Sequence, residues 1–140
     1  MKRLSRERDD SGACELVLPA FGVIEAERVL QIDELFAVVK DKFPVTPGHT
    51  LIIPRRAVLR FAELDANERV RLLELVEWLQ GQLAKCDPAP EGFNLGVNDG
   101  PTAGQTKPQF HFHVIPRRRG DVTDARGGIR WVIPQKAKYW

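Results

Sequence analysis

A single helical segment among short strands is the feature that most constrains how this 140-residue chain can fold. Between Asp65 and about Lys85 the apolar residues recur at helical spacing. Asp65 followed by Glu68 resembles a capping box, in which side chains satisfy the free amides of a helix start. One long helix among several strands predicts an α+β fold in one domain, rather than a doubly wound sheet.

Four runs rich in β-branched and aromatic residues predict strands. They lie at residues 35–39, 50–53, 93–97 and 109–115. Residues 41–48 contain two prolines and form a turn-rich connector, and the glycine-rich residues 98–104 form a loop. We expect residues 1–13 to be a mobile charged head and residues 120–140 to be a C-terminal tail.

Charge and hydropathy exclude several classes of protein. Lys and Arg number 21 against 19 Asp and Glu, which is far below the basic excess of a nucleic-acid binder. No apolar run approaches the roughly 20 residues of a membrane helix, and the N-terminal segment is a poor signal peptide. We therefore expect a cytoplasmic protein with neither nucleic acid nor membrane as a partner. Cys14 and Cys86 are isolated and are given no role.

Two of the three histidines stand two residues apart inside a predicted strand. Since alternate side chains of a strand share a face, Gln109, His111 and His113 should line one side. The residues between them are apolar and should face the core, so the polar side should face a cavity or solvent. Two other interpretations remain open: exposed histidines without a catalytic role, and a metal site that lacks an evident third ligand nearby.

The loop before the histidine strand favours a role in binding phosphate. Residues 98–106 combine glycines, a side-chain amide and a hydroxyl, and a loop of this kind can turn donors towards an anion. Alone, such a loop is only a turn between strands. Beside two imidazoles it resembles a phosphate cradle next to a nucleophile.

The stretch from Gly104 to Arg117 resembles the signature of the histidine triad (HIT) family of nucleotide hydrolases and transferases. That signature is His-φ-His-φ-His-φ-φ, with φ apolar, after a Gly-Gln-[Ser/Thr] element. Residues 41–54 and 92–100 also resemble the family, and the tail from Gly120 to Pro134 resembles that of small bacterial members. The resemblance implies a HIT-like fold, with a central, mainly antiparallel sheet and one long helix, and a homodimer.

The chain departs from the family at the first triad position, where Gln109 replaces histidine. The uridylyltransferase branch also replaces a triad histidine with glutamine, but at the third position. The zinc-binding Cys-x-x-Cys of some members is absent too, because Val17 stands three residues after Cys14. No metal site is therefore predicted.

The resemblance also implies a role for each matching residue. His111 is the nucleophile that attacks the α-phosphate and forms a nucleotidyl-histidine, and His113 donates a hydrogen bond to phosphate or leaving group. Four residues of the loop supply donors to the phosphate: Asn98, Gly104, Gln105 and Thr106. Asp41 binds the ribose hydroxyls, and buried His49 supports the triad region.

The implied substrates are dinucleoside polyphosphates, of which diadenosine tetraphosphate is the usual one for bacterial relatives, and nucleoside phosphoramidates. No cofactor should be required, although the nucleotide could carry magnesium. The alternative is a nucleotide-binding module with little or no turnover, because Gln109 cannot carry a positive charge. In the tail, Trp131, Tyr139 and Trp140 are apolar enough to cover a partner or a nucleotide base.

Overall fold

A five-stranded antiparallel sheet organises the chain in the computed structural model, which describes residues 7–8 and 14–140. The strands are β1 Glu7–Arg8, β2 Cys14–Leu18, β3 Gly22–Ile24, β4 Val29–Ile32, β5 Phe36–Lys40, β6 Thr50–Pro54, β7 Gly92–Gly96 and β8 Phe112–Arg117. The helices are α1 Ala66–Leu83 and the short α2 Pro134–Ala137. The main sheet has the order β4-β5-β6-β8-β7, and β1-β2-β3 form a second sheet. Apart from β1, the predicted mobile head lies outside the described residues.

Helix α1 covers one face of the main sheet, as its spacing predicts. The Asp65 side chain accepts from the Glu68 amide at 2.8 Å, and the Glu68 carboxylate accepts from the Asp65 amide at 2.9 Å, which confirms the capping box. The helix buries Leu72, Leu75, Val76, Leu79 and Leu83 against Phe36, Val38, Ile52, Phe110 and Val114 of the sheet side. It ends two residues before the predicted Lys85.

The hairpin of β2 and β3 covers part of the opposite face. Its buried residues Leu16, Leu18 and Ile24 pack on Ala37 and Val39 of β5 and on Leu51 and Ile53 of β6. This second core does not include β8. Because successive side chains of β8 alternate, burial of Val114 under α1 places His113 on the opposite, hairpin-side face.

The histidine strand begins later than predicted and ends later too. It starts at Phe112 instead of residue 109, because the preceding residues bond the chain beyond β6: the Phe110 amide donates to the Val58 carbonyl at 2.7 Å. It continues through Pro116, because β6 reaches only to the Thr50–Val114 pair. The Pro116 nitrogen thus faces a side without a strand partner, where a missing donor costs nothing.

The other predicted strands are confirmed to within about one residue, and all pairings are antiparallel. Among the described residues, no helix combines the length and apolarity that a membrane span requires.

Candidate active site

Three imidazoles lie side by side where β8 crosses the open part of the sheet face. The ring centroids of His111 and His113 are 5.1 Å apart, and those of His113 and His49 are 5.2 Å apart. His49 comes from the end of the 41–49 connector, just before β6. The topology thus adds a histidine from a distant segment to the pair that the strand presents.

The orientation of His111 is fixed by its own chain. Its Nδ1 lies 2.9 Å from the carbonyl oxygen of Gln109, and because a carbonyl only accepts, Nδ1 must carry the proton. The Nε2 lone pair is then free. Phe21, at the turn of the β2–β3 hairpin, packs its ring against His111 with centroids 5.6 Å apart and planes at 72°.

The orientation of His113 is fixed by a hydrogen-bonded chain. The Val45 amide donates to His49 Nδ1 at 3.2 Å, so the proton of neutral His49 is on Nε2. His49 Nε2 lies 2.9 Å from His113 Nδ1, which must accept. The remaining proton of neutral His113 is therefore on Nε2, where it can be donated to a ligand. These tautomers are assigned from the hydrogen-bond network.

Asp41 stands at the inner end of the same chain. One carboxylate oxygen accepts from the Phe43 amide at 2.8 Å, and the other lies 3.4 Å from His49 Nε2. The Asp41 side chain is only 16% exposed. The carboxylate therefore attracts the Nε2 proton of His49 and also stabilises the turn that follows Asp41.

Burial keeps both supporting imidazoles neutral. Burial lowers the pKa of His113 to about 4, helped by the neighbouring charges of His111 and His49, while Asp41 opposes the shift. Burial also lowers the pKa of His49 against the opposing charge of Asp41. Neutral His49 agrees with the Val45 amide donating to its Nδ1. The pair therefore acts at pH 7 as a hydrogen-bond relay of fixed direction.

Gln109 does not share the open face with the imidazoles. Its side chain is 2% exposed and bonds three backbone groups at and beyond the end of β6. The amide nitrogen donates to the carbonyls of Pro54 at 2.8 Å and Arg56 at 3.0 Å, and the amide oxygen accepts from the Val58 amide at 3.2 Å. The expectation of a polar face toward cavity or solvent thus fails for Gln109, because these backbone groups satisfy its side chain.

The side chain of Gln105 stabilises the conformation of the glycine-rich loop. The Gln105 side chain accepts from the Gly100 amide at 2.9 Å and donates to the Leu59 carbonyl at 2.8 Å, so both ends of its amide are engaged. Gly100 and Gly104 have φ of 101° and 95°, which favour glycine. Asn98 and Thr106 are exposed, and their side chains bond none of the described residues. Their donors are the ones available to a ligand.

Asp41, His49 and His113 could together offer ligands to a metal ion, but the two imidazole nitrogens lie too close together for this. The ligand atoms of Asp41, His49 and His113 lie within 4.8 Å of one another. Two nitrogens bound to one tetrahedral zinc lie about 3.3 Å apart, from Zn–N distances of ~2.0–2.1 Å. The two imidazole nitrogens here are 2.9 Å apart, a hydrogen-bond distance. The arrangement fits a proton between them, and a metal would have to separate the rings.

Sequence reasoning missed two groups that touch the imidazoles and one wall of the site. Phe21 and the Val45 amide had no sequence signal, since only the folded hairpin and connector bring them to the histidines. The wall is the segment 121–133, which closes a cavity of about 1110 Å³ beside His113 and the glycine-rich loop. Trp131 was singled out for its apolar character alone, and it lines this cavity.

Comparison with known proteins agrees with this fold. The HIT domain model matches residues 22–120. The asymmetrical bis(5'-nucleosyl)-tetraphosphatase of Schizosaccharomyces pombe is 41% identical over 81 residues, which are 58% of this chain and 44% of that protein. The bifunctional bis(5'-adenosyl)-triphosphatase/adenylylsulfatase FHIT of Arabidopsis thaliana is 36% identical over 104 residues, 73% of this chain and 57% of that protein. The chain thus spans about half the length of these curated relatives.

A solved structure gives the same result. The crystal structure of a Zn-bound histidine triad family protein from Mycobacterium smegmatis superposes with a TM-score of 0.63 at 29% identity, over 69% of each chain. The family model covers more than half of this chain, and its fold is that of solved family members. The chain belongs to the HIT family.

Proposed function

We propose that this HIT protein is a nucleotide hydrolase or transferase that acts on the α-phosphate of nucleoside polyphosphates. The observation that carries the proposal is the bond between His111 Nδ1 and the Gln109 carbonyl, because it engages Nδ1 and leaves Nε2 as the nitrogen on the open face. Nε2 attacks the α-phosphorus and forms an N–P bond. The bond from phosphorus to the bridging oxygen breaks, and its electron pair leaves with the remaining phosphates. Water then attacks phosphorus and loses a proton to solvent, the N–P bond breaks with its electron pair returning to Nε2, and the nucleoside monophosphate and free His111 are released.

His113 serves as the donor beside the nucleophile. The relay from Val45 through His49 leaves its proton on Nε2, and burial keeps the ring neutral. A neutral donor of fixed direction can stabilise the charge that develops on phosphate or leaving-group oxygens without reorganising.

Two residues of the loop supply further donors. The exposed side chains of Asn98 and Thr106 are free to contact phosphate oxygens. Gly104 lets the backbone approach closely, and Gln105 sets the shape of the loop through its bonds to Gly100 and Leu59. We therefore assign Gln105 a positioning role, in place of the direct phosphate contact that the resemblance implies.

Asp41 is proposed to bind the ribose hydroxyls. A carboxylate offers about four lone-pair sites; the bond from the Phe43 amide uses one, and the His49 ring at 3.4 Å faces another. Two sites remain for a ribose, so binding the sugar and supporting His49 are compatible. A bound ribose would then connect the nucleoside directly to the His49–His113 relay.

Dinucleoside polyphosphates are the proposed substrate class, with nucleoside phosphoramidates as the second class. The names of the fission yeast and Arabidopsis relatives support the first. No cofactor is needed for the steps above, and magnesium would enter only on the nucleotide.

Product analysis tests this function. Incubation with diadenosine tetraphosphate should release adenosine monophosphate together with the triphosphate, and chromatography resolves both products. Symmetric cleavage to two diphosphates would contradict attack at the α-phosphate. Binding of the nucleotide without any product would favour the alternative, a binding module, which the uncharged Gln109 supports.

We also propose a homodimer. The outward face of α1 exposes Val70 and Leu73, and β7 is an edge strand of the main sheet, so both surfaces are open to a second copy. Sedimentation of the full chain at micromolar concentration should show a dimer. A monomer at that concentration would contradict the proposal.

A further inference from the structure

The cavity beside His113 is a separate feature from the imidazole cluster and the loop. Its floor on the His113 side of the sheet is formed by Asn94, Gly96 and Ile115 of β7 and β8, and its outer wall by Ile129, Trp131, Val132 and Ile133 of the C-terminal tail. His113 and the loop residues Asn98 and Gly104 also line the cavity. His111 is not part of the lining and lies beside Phe21.

The charges around the cavity are already paired. Arg117 donates to both carboxylate oxygens of Asp121, at 2.8 and 2.7 Å, and to Asn94 at 2.7 Å. Asp124 accepts from Arg126, which holds the pKa of Asp124 down to about 2. Among the described lining residues, no lysine or unpaired arginine remains for a terminal phosphate. The part of the cavity lined by the tail therefore suits an uncharged, flat or apolar group.

The tail wall is held in place by its own contacts. Arg130 donates to the carbonyls of Ala137 and Lys136 at 2.9 and 2.7 Å, and the Trp131 indole donates to the Arg126 carbonyl at 3.0 Å. The Arg126 guanidinium lies over the Trp140 ring, 4.5 Å from its centroid. Trp140 thus braces the tail, while Trp131, 41% exposed, presents its surface to the cavity.

We propose that this cavity binds the base of the departing nucleoside, with Trp131 as its stacking platform. The inference rests on the proposed function. In phosphoryl transfer the attacking and leaving atoms lie roughly in line, so the leaving group extends away from His111. Because His113 lines the cavity and His111 does not, we place the departing nucleoside there. A volume of about 1110 Å³ is at the upper end for small-molecule sites and accommodates a second nucleoside.

Two substrates separate this subsite from the reacting centre. Diadenosine tetraphosphate has a second nucleoside, whereas adenosine 5'-phosphoramidate releases only ammonia. Trp131→Ala should lower kcat/KM for the tetraphosphate by about tenfold, or ~1.4 kcal/mol, and leave that for the phosphoramidate within about twofold. Trp78→Ala is the matched control, since Trp78 is 36% exposed on α1 and lines no part of the cavity. It should change neither value.

A second variant tests whether Trp131→Ala acts only by disturbing the structure of the tail. Val132 is 74% exposed, so Val132→Glu should fold and place a charge in the cavity. It should lower kcat/KM for the tetraphosphate selectively, as Trp131→Ala does. Equal losses on both substrates in the two variants, or no loss on either, would overturn the subsite.

Failure of the proposed function is distinguishable from failure of the subsite. If the natural chain hydrolyses neither compound, the proposed function is wrong, and calorimetric binding decides the subsite. Diadenosine tetraphosphate should then bind more tightly than adenosine monophosphate, and Trp131→Ala should remove that preference. Equal affinities for the two ligands in the natural chain would contradict the inference.

Discussion

His111 and His113 are neighbours on one sheet face, yet they are held in opposite ways. His111 is tied to the carbonyl two residues before it, so its orientation depends on local chain geometry. His113 is tied to His49, 64 residues earlier in the sequence, and through it to Val45 and Asp41. The nucleophile should therefore tolerate changes in the distant connector, whereas the donor should not. Loss of the nucleophile, of the distant support and of the local support should therefore have different effects.

The largest effect is expected from removing the nucleophile. His111→Ala should reduce turnover of diadenosine tetraphosphate by more than about a thousandfold, or ~4 kcal/mol, because no other group on the face can form the N–P bond. Nucleotide affinity should change by less than about threefold, since the phosphate donors remain. Single-turnover kinetics and calorimetry measure the two quantities. Comparable hydrolysis by the variant would show that another residue reacts.

Breaking the distant support should have an intermediate effect. His49→Ala removes the donor to His113 Nδ1, frees that ring to change tautomer, and should lower kcat by about tenfold to a hundredfold, or ~1.4–2.7 kcal/mol. KM should change little. His49→Gln retains a side-chain donor and should recover part of the loss. An increase in KM with kcat unchanged would instead indicate that His49 only shapes the nucleotide pocket.

Substituting the side chain of Gln109, the residue whose carbonyl orients His111, should have a smaller effect on kcat. Gln109→His keeps the backbone carbonyl that orients His111, so kcat should change by less than about tenfold, or ~1.4 kcal/mol. A neutral imidazole offers one donor and one acceptor, whereas Gln109 makes three bonds, so one carbonyl loses its partner. Stability should fall by about 1 kcal/mol in denaturant titration. A gain above roughly a hundredfold, ~2.7 kcal/mol, would show that a charged first position matters.

The last effect concerns the pH dependence of stability and not turnover. The pKa of His113 is lowered from 6.5 to about 4, so between these values the unfolded chain binds a proton that the folded chain does not. The contribution to stability is complete above pH 6.5 and is lost as pH falls toward 4. At about 1.4 kcal/mol per pKa unit, reduced for partial exposure, the loss should be about 1–2 kcal/mol. His113→Gln should show a smaller fall, and an equal fall would place its origin elsewhere.

The two forms of support also explain what could be predicted from the sequence. The helix after Asp65, the strands and the adjacency of His111 and His113 follow from local periodicity and were predictable. The bond of His111 to a carbonyl is local too. The inward turn of Gln109 was not predictable, because it depends on backbone groups of residues 54–58 that only the folded sheet places beside it.

The same limit applies to the loop and the tail. Gln105 resembles a phosphate donor in sequence, but its partners Gly100 and Leu59 are set by the fold. The tail has no periodicity that shows which sheet face it covers. Its place opposite β7 and β8 follows from long-range contacts such as the close approach of Gly128 to Asn94.

A covalent intermediate on His111 is the central claim, and the mass of the trapped protein tests it most directly. Acid-quenched samples taken within one turnover of diadenosine tetraphosphate should show a fraction of the chain heavier by one adenylyl group. Peptide mapping should place that group on His111, and His111→Ala should show none. Product formation without any heavier species, at quench times that cover the first turnover, would contradict the mechanism, and an adenylyl group on His113 would reverse the two roles.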